Sequence, residues 1–293
     1  MKKIKLLLVF PIILGVLYGC AQKEPDIVVG TKDFTEQYVL GNILVLLIEA
    51  HTNLTVAYIN DLASDVIFAG VRTGVIDLYV EYTGTAYGSY LRLSETLNAE
   101  EVYETSVREL YERYNLRMLD KLGFNNTFSL AVRTDIAAQY SLRTISDLAQ
   151  VSSNLTFGGS SEFLSRFDGL PNLKKHYGMN FAEEIIMDGI ARYNAIANDE
   201  VQVIAAFSTD GTLLNFDIVV LEDDLGFFPP YHGAIIIRNE TAETHPELLN
   251  VLQLLAGELT NEVMRGLNYR VDVLGELPGT VAEEFLKENN FFR

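Results

Sequence analysis

Four short stretches set an aromatic ring beside small or amide residues, at what read as strand ends or turns: VEYTGT with Tyr82, FNNTFSLAV with Phe128, AAFSTDG with Phe207 and FFPPYHG with Tyr231. A ring offers a large apolar surface and an electron-rich face that attracts cations. With 15 Tyr and 16 Phe in the chain, one ring at a strand end is ordinarily core packing, and periodicity alone does not single out these four. Other chemistry finds less support. The four histidines, His51, His176, His232 and His245, are scattered without metal-ligand spacing, and the single cysteine, Cys20, leaves no intramolecular disulfide and no thiolate metal site. FGGSSEF lacks the Lys-Ser/Thr ending of a phosphate cradle. Asp210, in STDG beside Ser208, reads as a turn and helix cap rather than a catalytic carboxylate. No metal, no cofactor and no catalytic residue is expected.

The elements that must position these rings alternate. DIVVG (26–30) reads as a buried strand, 35–52 as a helix with Thr35 placed to cap it, LTVAYI (54–59) as a strand and DLASDVIFAGVRTG as a helix. The strand over 76–81 follows, with Leu78, Val80 and Tyr82 on one face until Thr83, Gly84 and Thr85 break the period. This β-α-β-α-β order is the signature of a mainly parallel sheet. Residues 98–115 form a solvated amphipathic helix, whose charge run needs no functional explanation. A second series has strand candidates at 128–133, 155–159, 201–207 and 218–223, and helices return at 246–260 and 280–292. Tyr193 reads as packing. Two α/β series predict two lobes, and ligands of open α/β sheets sit beyond the carboxyl ends of strands, where Tyr82 is delivered.

The first residues carry Lys2, Lys3 and Lys5 before an apolar run from Leu6 that ends at Gly19-Cys20. That run is shorter than the ~20 residues a bilayer span needs, so 1–19 reads as an export signal, with LYGC similar to a lipobox that would lipidate Cys20. The folded part is then expected outside the cytoplasmic membrane, on a tether over 20–25. Loss of the signal removes three lysines and takes the formal charge from −18 to about −21. Such an acidic chain, with no concentration of Lys and Arg, argues against nucleic acid as a partner.

The stretches VGTKDFTEQYVLG, VEYTGTAY, FNNTFSLAVR, EFLSRFDGLPNLKKHYG, AAFSTDG and LEDDLGFFPPYHGAIIIR, in order from about residue 27 to 240, together resemble the substrate-binding lipoproteins of osmoprotectant ABC importers. The resemblance implies a type II periplasmic-binding-protein fold, α/β, with two lobes joined by a hinge. Lobe I would comprise 26–122 and 232–293, and lobe II 123–231. It further implies a monomer that captures a quaternary-ammonium ligand (glycine betaine, carnitine, choline or a relative) and delivers it to a membrane permease.

By the same resemblance Tyr82, Phe128, Phe207 and Tyr231 form an aromatic cage, two of them departing from the family's usual tyrosine. A quaternary ammonium has no N–H to donate, so ring faces suit it where hydrogen-bond acceptors do not. Lys32 and Arg166 would reach a ligand carboxylate, with Thr85 assisting and Gln37 and Asn126 as polar contacts. Two other readings stand beside this one. An amino-acid receptor of the same fold would need a carboxylate for a primary ammonium, with Glu81 or Glu162 as candidates. A tethered enzyme would need a nucleophile with a placed base, for which the sequence offers no arrangement.

Overall fold

The computed structural model describes residues 24–95, 98–165, 169–187 and 190–292, the side chain of Glu162 excepted. Two five-stranded mixed sheets organise the chain. In the first, the order is β2 (Val56–Leu62), β1 (Ile27–Lys32), β3 (Leu78–Tyr82), β10 (His232–Arg238) and β4 (Leu116–Asn125). In the second it is β7 (Glu183–Ile186), β6 (Thr156–Gly159), β8 (Val203–Phe207), β5 (Phe128–Arg133) and β9 (Ile218–Val220). Each sheet has three parallel strands, continued by antiparallel pairing: β10 with β3 and β4, β5 with β8 and β9.

The first sheet is served by α1 (Thr35–His51), α2 (Ser64–Thr73), the single turn α3 (Thr83–Thr85) and α4 (Ala99–Tyr114). Helices α5 (Thr134–Tyr140), α6 (Ile145–Val151), α7 (Ser161–Ser165), α8 (Leu170–Tyr177) and α9 (Ile190–Ala197) belong to the second. After β10 come α10 (Asn239–Thr244), α11 (Glu247–Leu252), α12 (Asn261–Asp272) and α13 (Pro278–Glu288), the last three packed on α1.

Strand β3 is buried throughout because helices cover both faces of its sheet. Leu78, Val80 and Tyr82 join Ile27, Val29 and the α1 residues Leu40, Ile43, Leu44 and Leu47 in one core. Tyr79 points the other way, into a core with Ile67, Phe68 and Val71 of α2. Each fully buried aliphatic side chain contributes about 1.5–3 kcal/mol, so the strand end that carries Tyr82 is anchored on two sides. Helix α4 starts at a capping box: the Asn98 side chain accepts from the Glu101 amide, and Glu101 accepts from the Asn98 amide.

Several expectations are corrected. Thr35 is the first helical residue and caps nothing, because its hydroxyl donates to Asp272 Oδ1 of α12 at 2.5 Å. The helix expected over 246–260 ends as α11 at Leu252 with a 3₁₀ turn over Gln253–Leu255. Strands β4, β7 and β10 and helix α12 were not foreseen.

The chain crosses between the sheets twice, directly from β4 to β5 through Asn126 and Thr127, and from β9 to β10 through residues 221–231. The crossings are tied to each other. The Asn126 amide donates to Tyr231 O at 3.0 Å, and the Tyr231 amide to Asn125 Oδ1 at 2.7 Å. A third contact joins the halves at Gly211, just after β8, where a Cβ would lie 2.2 Å from Tyr269 N and 2.6 Å from Asn268 C of α12. Backbone approaches backbone there, which only glycine permits.

Candidate functional site

Both sheets and both crossings deliver side chains to one cavity of about 320 Å³. Tyr82 comes from the end of β3, with Thr85, Ser89 and Tyr90 from the turns that follow it. Phe128 opens β5 and Phe207 closes β8. They are register partners across the antiparallel pair, stacked with centroids 4.7 Å apart. Asn126 and Tyr231 come from the two crossings, and Ser64 and Asp65 from the start of α2. The four rings singled out in the sequence therefore share one wall system, with Thr85 and Asn126 among them. Phe128 is backed by Phe163 at 5.0 Å, while Phe207 is 41% exposed.

Gly84 lets Tyr231 come close: a Cβ there would meet the Tyr231 ring at 2.8 Å and the Pro230 carbonyl at 2.7 Å. The Thr83 hydroxyl donates to that carbonyl at 3.1 Å and accepts from the His232 amide at 3.1 Å. The TGT turn thus closes the strand and docks the second crossing.

Behind the Tyr82 ring lies a carboxylate that no local sequence pattern marks. Glu36, in the first turn of α1, is 3% exposed. It accepts from the Tyr82 hydroxyl at 2.7 Å, from Asn126 Nδ2 at 2.9 Å and from Asn268 Nδ2 at 3.2 Å. Burial pushes its pKa up, and its hydrogen bonds pull against that shift. Burial, together with the Glu36 charge, pushes the Tyr82 hydroxyl well above its ordinary range, so Tyr82 stays a neutral donor. A smaller hollow of about 200 Å³ adjoins, sharing Asn126 and Phe207 and lined also by Phe34, Thr35, Glu36, Thr209, Asp210, Asn268 and Asp272.

Two residues expected to touch a ligand stand elsewhere. The Lys32 ammonium is buried 2.5 Å from Glu81 Oε1 and 5.1 Å from the Tyr82 ring centroid, outside the cavity lining. Its charge neutralises Glu81, which also accepts from the Tyr79 hydroxyl at 3.1 Å and the Tyr82 amide at 2.7 Å. A buried carboxylate needs such a partner, so the pair is internal. Glu81 is correspondingly unavailable as the amine-binding carboxylate of an amino-acid receptor. Gln37 is fully buried, and its Nε2 donates to Val80 O at 3.0 Å and to the Tyr82 hydroxyl at 3.2 Å. It supports the ring instead of lining the space.

Arg166 and Cys20 lie outside the described residues, as does the Glu162 side chain. Tyr193 is packing: 1% exposed, stacked on Phe216 and bonded to Asp210. Asp210 caps the 3₁₀ turn that follows it by accepting from the Thr212 amide at 2.9 Å. A larger hollow of about 580 Å³ lies on the second lobe, between Leu170, Lys174, Met179 and Glu184, and shares none of the four rings. Among the described residues no group of three or more His, Cys, Asp or Glu is arranged to hold a metal, and no helix is long and apolar enough to cross a membrane.

Residues 25–288 match the family described as the substrate binding domain of ABC-type glycine betaine transport systems. The chain belongs to that family. A crystal structure of a glycine betaine/carnitine/choline ABC transporter protein superposes with a TM-score of 0.87 at 31% identity, over 91% of this chain and all of that one. The carnitine transport binding protein OpuCC of Listeria monocytogenes is 33% identical over 90% of this chain and 87% of its own length. The ergothioneine transport permease/ergothioneine binding protein EgtU of Helicobacter pylori is 37% identical over 91% of this chain. This chain spans about half (48%) of that relative's length. The two-lobed α/β architecture is thus the periplasmic-binding-protein fold of substrate-binding proteins that serve ABC transporters and work outside the cytoplasm.

Proposed function

We propose that this chain captures a small quaternary-ammonium compound between its lobes and presents it to the permease of an ABC importer, without chemical change. The observation that carries the reading is the convergence of Tyr82, Phe128, Phe207 and Tyr231, from two sheets and a crossing, on one small cavity. Faces of aromatic rings attract a methylated cation electrostatically, each by roughly 1–2 kcal/mol when water is excluded. Because the rings come from both halves, a ligand that touches all of them favours the arrangement in which the halves are close. Thr85 and Asn126 supply polar contacts, and Arg166 is assigned the ligand carboxylate on the ground of its EFLSRFDG motif.

One lobe is assigned residues 26–125 and 232–292 and the other 128–220, the boundary expected at 122/123 moving to the end of β4, with the crossings at 126–127 and 221–231 as the hinge. The protein acts as a monomer, tethered through a lipid on Cys20 at the outer face of the cytoplasmic membrane. Glycine betaine, carnitine and choline are the first ligands to test. The Helicobacter pylori relative adds ergothioneine, itself a trimethylammonium betaine, to the panel. Titration calorimetry with these four compounds should show binding of at least one, weakened at least ~tenfold by Tyr231→Ala and by Phe128→Ala. Unchanged affinity in both variants would refute the cage.

A further inference from the structure

Two amide side chains around Glu36 share one polarity. Asn126 gives its Nδ2 to Glu36 Oε1, and Asn268 gives its Nδ2 to Glu36 Oε2 and to Thr209 O, the last at 2.8 Å. Both amide orientations are forced, because reversing either would set an amide oxygen against a carboxylate. The consequence falls on the other ends. Asn126 Oδ1 and Asn268 Oδ1 are both buried and have no hydrogen-bond partner among the described residues, and Asn268 as a whole is 4% exposed.

Native proteins rarely leave such acceptors unpaired, and each one left so is costly. Both asparagines line the small hollow beside the aromatic cavity, and Asn126 lines the two together. The neighbouring Asp272 carboxylate, which takes the Thr35 hydroxyl, adds acceptor capacity to the same hollow.

Resting on the quaternary-ammonium reading above, we propose that Glu36 sets the polarity of the site. By taking the N–H sides of Asn126 and Asn268, it leaves their oxygens as acceptors for a ligand. The site then selects, among trimethylammonium compounds, those that carry an O–H or N–H donor a few bonds from the methylated nitrogen. A donor-free compound of the same skeleton fills the cage equally well and leaves both oxygens unsatisfied. Glu36 touches no ligand in this account; it is a positioning residue that fixes which face the amides turn outward.

Matched pairs test this on the full-length chain. Carnitine against γ-butyrobetaine, and choline against its O-methyl ether, differ in one hydroxyl while keeping the head group. Calorimetry should give roughly tenfold tighter binding for the hydroxylated member of at least one pair, the worth of one recovered buried hydrogen bond. In Glu36→Gln the neutral amide can donate as well as accept, which frees Asn126 to turn over while the Thr209 carbonyl still holds Asn268, so the ratio within that pair should fall to about twofold or less. General damage to the fold would weaken both members together and leave the ratio standing, which would overturn the role of Glu36. Should Glu36→Gln fail to fold, Asn126→Ala replaces it, with the same collapse of the ratio expected. Equal affinity within both pairs in the unaltered chain overturns the proposal while leaving the cage intact. Failure of every trimethylammonium compound to bind overturns both.

Discussion

Replacing Tyr82 with Phe keeps the ring at the cavity wall and removes one oxygen, the atom that donates to Glu36 at 2.7 Å and accepts from Gln37 at 3.2 Å. A hydrogen bond to a buried charged group is worth roughly 1.5–3 kcal/mol net. Glu36 keeps its two amide donors and Gln37 keeps the Val80 carbonyl, so the lower end, about 1.5 kcal/mol, is the expected cost at pH 7. Burial raises the Glu36 pKa above its ordinary 4.5, so the stability its protonated form provides is complete below that value and is lost as pH rises through the folded-state pKa. The Tyr82 bond opposes the shift, and without it the Glu36 pKa climbs further. Below the ordinary value the carboxyl is neutral in either protein, and the lost bond then counts as an uncharged one, about 1 kcal/mol or less. Urea unfolding of both proteins at pH 7 and at pH 4 measures the difference. A penalty that is absent at pH 7, or that grows on acidification, would show that Glu36 is not held by this hydroxyl.

Lys32→Met should destabilise the fold by about 3–5 kcal/mol, because it leaves Glu81 charged and buried. Adding Glu81→Gln should recover most of that loss in the same urea titration, and a single-variant cost under about 1 kcal/mol would refute the internal pair. Gly211→Ala drives a methyl group into the backbone of α12 and should cost about 1–3 kcal/mol or force the joint apart. An unchanged unfolding midpoint with unchanged ligand affinity would mean that the halves do not meet there.

The place of Tyr82 was legible in the sequence because strand grammar is local, whereas the four rings were grouped only by the family resemblance. Alternation of Leu78, Val80 and Tyr82 followed by TGT fixes a side chain at a strand end, and that strand sits in the core as the pattern requires. What was not legible is where distant segments meet. Strand β4 hides its period because Leu119 and Asp120 interrupt it, with register shifts against β10 and a positive φ at Gly123. Glu36 carries no local mark either. An acidic residue in the first turn of a helix is the commonest of solvated caps, and only burial against Asn126 and Asn268, 90 and 232 residues away, changes its meaning. The pairing of Lys32 with Glu81 was hidden for the same reason, since Glu81 comes from another strand. Ser89 and Tyr90 had a usable signal, lying within two helical turns of Tyr82 in a segment that continues the TGT turn.

Strand β10 lies between β3 and β4, yet it follows the whole of the second sheet in the chain. All five strands of that second sheet fall within 128–220, so the middle of the polypeptide can complete its hydrogen-bond ladder from contiguous material. The beginning cannot. Until residues 232–238 arrive, β3 and β4 have raw edges facing each other across an empty slot, and unpaired edges invite pairing with other chains. A nascent copy released before that point would therefore be sticky at its start and finished at its centre.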